Sequence, residues 1–209
     1  MSALMALSLE QEYRSDGPGL ACELFARVLP VSRKYRRAAG FFSSSVFRSA
    51  SEAWLSFFER GGQMQLICSE RFSAQDYAQI CAGVLDRPRW RRRKWEDLQL
   101  GTLGGDGGGA LLSWLIANDR LQMKIAFVSD QTDHQMYHEK IGYFEDDSGS
   151  TLAISGSANE TFNAWSGNFE RVDTFASWGG DDSQQRCRKI RQAFVRLWTN
   201  QKTGLYVVR

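Results

Sequence analysis

Segments of helical periodicity alternate with short apolar runs through the first ninety residues, and that alternation restricts the chain to layered α/β architectures. Residues 20–29 (LACELFARVL) set apolar side chains at helical intervals, and 37–43 (RAAGFFS) reads as a short buried strand ending in a polar turn. Residues 46–60 repeat apolar groups at steps of three and four and run into Gly61 and Gly62, as a helix does into a glycine cap. QMQLICS (63–69) is a second strand, and Ser73 is placed to N-cap the amphipathic stretch that reaches Leu85.

The second half continues the pattern. A helix at about 109–119 leads into the strand LQMKIAFV (121–128), and YHEKIGYF (137–144) and TLAISGS (151–157) read as a hairpin closed by EDDSGS. FERVDTFASW (169–178) reads as a strand, residues 181–198 as an amphipathic helix with a basic face, and LYVVR as a last short strand. With 209 residues and no internal repeat, heptad run or long linker, one domain is expected. The abrupt end after LYVVR suggests a fragment of something longer.

The 26 basic and 24 acidic residues nearly cancel, so a polyanion-binding surface has to be a local patch. The densest candidate is RPRWRRRK, with Arg87, Arg89, Arg91, Arg92, Arg93 and Lys94 as expected phosphate contacts. Trp90 and Trp95 beside them either stack on unpaired bases or pack inward. Cys22, Cys68, Cys81 and Cys187 form no CxxC pair and read as reduced core residues. The N-terminus lacks the basic start of a signal peptide, and no apolar run approaches the ~18 residues of a membrane span, so a cytoplasmic protein is expected.

Chemistry concentrates in 138–170. His138 and Lys140, two apart at the head of an expected strand, fall on one face. Imidazole suits nucleophilic attack on a phosphodiester, and an ammonium beside it neutralises charge growing on the phosphoryl oxygens. The next strand ends in Ser155-Gly156-Ser157-Ala158-Asn159, where the glycine permits close backbone approach and the Ser157 hydroxyl and Asn159 amide can donate to a phosphate. Glu170, eleven residues on, is placed to accept the second imidazole N–H of His138. His134 and His138 stand four apart, but helical metal-pair spacing does not suit a loop entering a strand. The glycines at 101–109 lack the GxxxxGK[ST] pattern and read as a flexible loop.

HxK, then GSxN, then a glutamate eleven residues later resembles the phospholipase D superfamily, above all its small single-motif nucleases. The resemblance implies a phospholipase D-like α/β/α sandwich, a central mixed sheet flanked by helices. It further implies a covalent phosphohistidine at His138, phosphate held by Lys140, Ser157 and Asn159, and no metal or cofactor. Because the family site uses two HxK motifs and this chain has one, it implies a homodimer whose second His138 protonates the leaving oxygen. The family pattern places an aspartate five residues after the lysine; this chain has Glu145 there, followed by Asp146, and small single-motif nucleases often lack that aspartate too. The segment AAGFFSSSVF, with the helix, strand and serine-led helix after it, looks like the phospholipase D-like module ahead of helicase domains in bacterial defence proteins.

The function expected is therefore metal-independent cleavage of nucleic acid, DNA above all, in bacterial antiphage defence or restriction, with a helicase or other defence subunit as partner. Two other readings stand beside it. A non-catalytic module binding nucleic acid or a helicase has the intact His138, Lys140, Asn159 and Glu170 against it. A phospholipase needs an exposed apolar or amphipathic surface segment, which the sequence does not offer.

Overall fold

A computed structural model describes residues 2–15, 19–103, 108–129, 136–202 and 204–208, with backbone alone for 100–103. In chain order its elements begin with β1 (Glu12–Arg14), followed by one helical segment made of a π turn (Ala21–Phe25), α1 (Ala26–Val28) and a 3-10 turn (Leu29–Val31). Then come β2 (Lys34–Ala38), α2 (Val46–Ser49), α3 (Ser51–Glu59), β3 (Gln63–Cys68), α4 (Ala74–Leu85), α5 (Arg87–Arg91), α6 (Trp95–Leu103) and α7 (Gly108–Ala117). The chain continues through β4 (Leu121–Val128), β5 (Ile141–Glu145), β6 (Thr151–Gly156), α8 (Phe162–Ser166), β7 (Arg171–Ala176), α9 (Asp181–Trp198) and β8 (Leu205–Val208).

Among the described residues all eight strands lie in one mixed sheet, ordered β1-β7-β6-β5-β2-β3-β4-β8. The β2, β3 and β4 strands run parallel, which requires the helical crossovers between them; β5 turns the direction against β2, and β6 and β7 alternate from there. The α/β/α sandwich with a central mixed sheet is thus the fold observed. Residues from both ends of the chain, Tyr13 in β1 and Val207 in β8, are buried in that one sheet.

Each face packs its own apolar layer. On one, Tyr35 stacks on Phe144 at 4.3 Å, and Phe25, Trp54 and Trp165 pile up at 3.6 and 5.5 Å between rings. On the other, Ala38, Ile67, Ala126, Ile141, Tyr143 and Ala153 meet Cys187, Phe194 and Leu197 of α9. Burying a large aromatic in such a layer is worth several kcal/mol, roughly 3–5 by truncation to alanine.

Some expectations shift. The strand expected at 37–43 lies at Lys34–Ala38, because three basic residues in KYRRA mask an apolar run that becomes visible only near its end. The strand β1, the short helix α8 and the helices α5 and α6 across the basic segment are not announced by periodicity; each is short, or, like α6, carries no sustained apolar stripe. The glycine stretch does not behave as a single loop: Gly101 closes into α6, Gly108 and Gly109 open α7, and 104–107 lie outside the described residues. Cys68 and Cys187 are buried as expected, but Cys22 is exposed and Cys81 half-buried. Among the described residues no helix is long and apolar enough to cross a membrane.

Candidate active site

The parallel strands end together at Ala38, Cys68 and Val128, and β5 starts at that same end because it runs antiparallel to β2 with Ile141 opposite Ala38. His138 and Lys140 precede β5, just outside the ladder. The Nζ of Lys140 lies 2.9 Å from Nε2 of His138 and donates at 3.1 Å to its carbonyl. An ammonium only donates, so Nε2 is the acceptor, which assigns a neutral imidazole with its proton on Nδ1. Burial and the Lys140 charge hold His138 below the ordinary histidine pKa. Burial and then Arg37 lower the pKa of Lys140, while the Glu170 carboxylate opposes them.

Strand β6 delivers the second part. Ser155 pairs with Ile141, and the N–H of Gly156 donates to the Lys140 carbonyl at 3.3 Å. Only glycine fits at 156, since a Cβ there would stand 2.0 Å from the Arg171 carbonyl oxygen. Ser157 comes next, its N–H donating to the Arg171 carbonyl, its hydroxyl oxygen accepting from the Arg171 N–H and its hydroxyl donating to a Glu170 carboxylate oxygen. Glu170 therefore serves Ser157 within the chain, and the expected bond from the His138 imidazole to this carboxylate is not made.

Asn159 is oriented from the backbone: the Phe41 N–H donates to its Oδ1 at 3.0 Å, leaving the amide N–H groups as its free end. Gly40 binds the halves together. A Cβ built there would lie 2.5 Å from Cδ2 of His138 and 3.3 Å from Oδ1 of Asn159, so imidazole and amide flank one point. Phe41 packs edge-on against the imidazole at 5.9 Å. Neither Gly40 nor Phe41 stands out as functional from the sequence; a glycine inside the apolar AAGFF is the available signal, marking close approach of another group.

Below lies a buried polar network. The Nε of Arg37 donates to Glu160 at 3.0 Å, its Nη2 donates closely to the Ala158 carbonyl, and the Tyr35 hydroxyl reaches the same carboxylate at 3.1 Å. Arg37 is 2% and Glu160 0% exposed. Burial pushes the Glu160 carboxyl up to about 7, against the pull of Arg37 and Tyr35. Glu160 also pairs by backbone with Phe41 and Ser43, so the loop bearing Ser157 and Asn159 is pinned to the chain leaving β2.

Other candidates fall elsewhere. Glu145 sits at the far end of β5, paired with Lys34 at 2.5 Å and Arg191 at 3.2 Å, and Asp146 caps its own turn and holds Ser2. His134 lies outside the described residues. The basic cluster occupies the opposite end of the sheet: Arg87 and Arg91 bind the Ala117 carbonyl and Asp119, just ahead of β4. Arg89, Arg92, Arg93 and Lys94 surround an open, exposed depression there. Trp90 is buried under Arg93, and Trp95 packs on Trp114 at 5.0 Å, so both tryptophans face inward.

Fold and site together define an α/β/α sandwich that carries histidine, lysine, serine, asparagine and glutamate at one end of its sheet. Solved structures similar to it include Nuc from Salmonella typhimurium, described as a phospholipase D family member, at 15% identity over 95% of this chain and 97% of that one, with a TM-score of 0.47. NucT from Helicobacter pylori is 15% identical over 84% and 86% of the two chains, with a TM-score of 0.46. The phosphatidylserine synthase of Haemophilus influenzae Rd KW20 is 14% identical over 94% of this chain and 39% of that one, with a TM-score of 0.47. No protein-family model matches the sequence, and no curated protein matches it significantly.

Proposed function

We propose that the chain is a phosphodiesterase that cleaves nucleic acid, DNA above all, through a covalent phosphohistidine. The observation that carries this reading is the contact of Lys140 Nζ with His138 Nε2 at 2.9 Å, with the Asn159 amide across Gly40 from the same imidazole. In the reaction the Lys140 ammonium turns from Nε2 to a phosphoryl oxygen, freeing the Nε2 lone pair to attack phosphorus; an N–P bond forms and the P–O bond to the leaving strand breaks, and water then attacks phosphorus and releases the histidine. Lys140 and the amide of Asn159 hold the non-bridging oxygens as charge grows on them, and Ser157 joins them when its hydroxyl turns from Glu170 to the phosphate. Until then Glu170 fixes the Ser157 hydroxyl.

Among the described residues a single chain supplies one imidazole at this site, and the leaving oxygen needs a proton. The reading therefore includes a homodimer in which the partner subunit's His138 is the acid. The wider setting, an enzyme of bacterial defence or restriction working with a helicase or similar subunit, rests on the resemblance of the sequence alone.

The test is cleavage of single- and double-stranded DNA and RNA in the presence of EDTA, by the wild type and by His138→Ala. Cleavage in EDTA with loss of activity in the variant is expected. Cleavage that survives His138→Ala would refute the mechanism.

A further inference from the structure

The basic residues that the sequence makes most conspicuous lie at the wrong end of the sheet to guide a polymer into the site, whereas those of α9 lead to it. This helix starts beside Ala176, whose N–H is held by Ser183 at 2.8 Å, and runs back ~27 Å for its 18 residues. It ends where Lys124 Nζ donates to the Trp198 carbonyl at 2.7 Å, near the strand ends that carry His138. Its two acidic residues, Asp181 and Asp182, are both in the first turn; beyond them Arg186, Arg188, Lys189, Arg191 and Arg196 are all exposed.

Pairing sorts these charges. Arg186 is spent on Asp182 at 3.1 Å and Arg191 on Glu145 at 3.2 Å, while Arg188 and Arg196 enter no ion pair among the described residues. Both line an open cleft of about 570 Å³ together with Arg191, Gln192 and Gln201. From the cleft the chain leads toward the end of the sheet that carries the site. Gln201 N–H caps the helix at the Arg196 carbonyl at 2.8 Å, and the next residue, Lys202, reaches the Glu139 carboxylate at 3.5 Å. Glu139 is the residue between His138 and Lys140, and Lys202 offsets its carboxylate.

We propose that the Arg188–Arg196 face of α9 is the track for the DNA phosphodiester backbone, delivering it over Lys202 to the His138 site. A polyanion is the occupant that fits, because unpaired guanidinium groups on an open face recognise phosphates in sequence, and Val195 is the one apolar side chain among those lining the cleft. The proposal rests on the phosphodiesterase reading, and its test separates the two.

Binding of the full chain to a duplex DNA oligonucleotide is measured across a salt series for the wild type, for R188Q/R196Q and for R89Q/R92Q. Each lost phosphate contact lowers the slope of log affinity against log salt by about 0.9, so R188Q/R196Q should lose up to about 1.8 while R89Q/R92Q keeps the wild-type slope. An unchanged slope in R188Q/R196Q, a lower slope in R89Q/R92Q instead, or no DNA binding by the wild type at low salt overturns the proposal. Binding to phosphatidylserine vesicles with none to DNA does so as well. Hydrolysis of bis(4-nitrophenyl) phosphate by the wild type, a diester too small to engage α9, reports on the His138 chemistry separately: its presence alongside an unchanged slope removes only the track, and its absence removes the phosphodiesterase.

Discussion

The imidazole of His138 rests against the α-carbon of Gly40, where a single added methyl group would stand 2.5 Å from Cδ2. Relief is available only by turning the ring, because the other neighbours of that position are the His138 backbone and the fixed Asn159 amide. Gly40→Ala should therefore leave the fold nearly as stable, since a side-chain tip can move, yet misplace the nucleophile by a fraction of an ångström to an ångström. A displacement of that order costs about 10²-fold in kcat. Turnover of a chromogenic diester beside a thermal melt checks it: wild-type turnover in a folded Gly40→Ala protein would show that the contact positions nothing.

The nucleophile must be neutral, and two effects keep it so in acid. Burial and the adjacent Lys140 ammonium both disfavour the imidazolium, so the acid limb of kcat/KM should lie below the ordinary histidine value of 6.5. Lys140→Met removes the charge and leaves the burial. The limb should then move up toward 6.5, while kcat falls by roughly 10²–10³ through loss of a phosphate donor. A limb that stays put in Lys140→Met would mean that the ammonium does not sense the imidazole.

How much of this could be read from the chain depends on the range of the interactions involved. His138, Lys140, Ser157, Asn159 and Glu170 lie within thirty-three residues, and a tight hairpin with Ile141 opposite Ser155 brings four of them together by local geometry. Gly40, Arg37 and the Glu160 carboxylate join the same site through pairing of β2 with β5, a contact about a hundred residues long in sequence that no periodicity announces. The position of the basic cluster is illegible for the opposite reason. Its charge density is visible in sequence, but Arg87 and Arg91 are held by Asp119 and Ala117, and only the direction of β4 reveals that this is the end away from His138.

The Arg37–Glu160 pair should reveal itself in stability. Removing one partner leaves a buried charge without compensation, so Arg37→Met should cost about 3–5 kcal/mol in urea unfolding, and Arg37→Met with Glu160→Leu should recover much of it. The pH dependence has a definite sign. Glu160 is pushed up to about 7 in the fold from a reference of 4.5, so the native state binds a proton in that window which the unfolded chain does not, and this group's contribution to stability declines as pH rises from 4.5 to 7. Arg37 opposes the upward shift, so Arg37→Met widens the window and should steepen the loss of stability toward neutral pH. Equal slopes in wild type and variant would contradict the placement of charge in this network.

The dimer reading predicts a non-linear response to inactive subunits. If each cleavage takes its nucleophile from one His138 and its leaving-group proton from the partner subunit's His138, a mixed dimer of wild type and His138→Ala lacks one of the two in either orientation. Equal amounts of the two chains, unfolded together and refolded, should then give about a quarter of the wild-type activity, the share of dimers with two intact histidines under random closed pairing. Independent sites would give half. The measurement also bears on Glu170, whose carboxylate is taken by Ser157 within one chain: a residual activity of half would return both nucleophile and acid to a single chain, where, among the described residues, that carboxylate makes no bond to the imidazole and no second histidine faces the leaving oxygen.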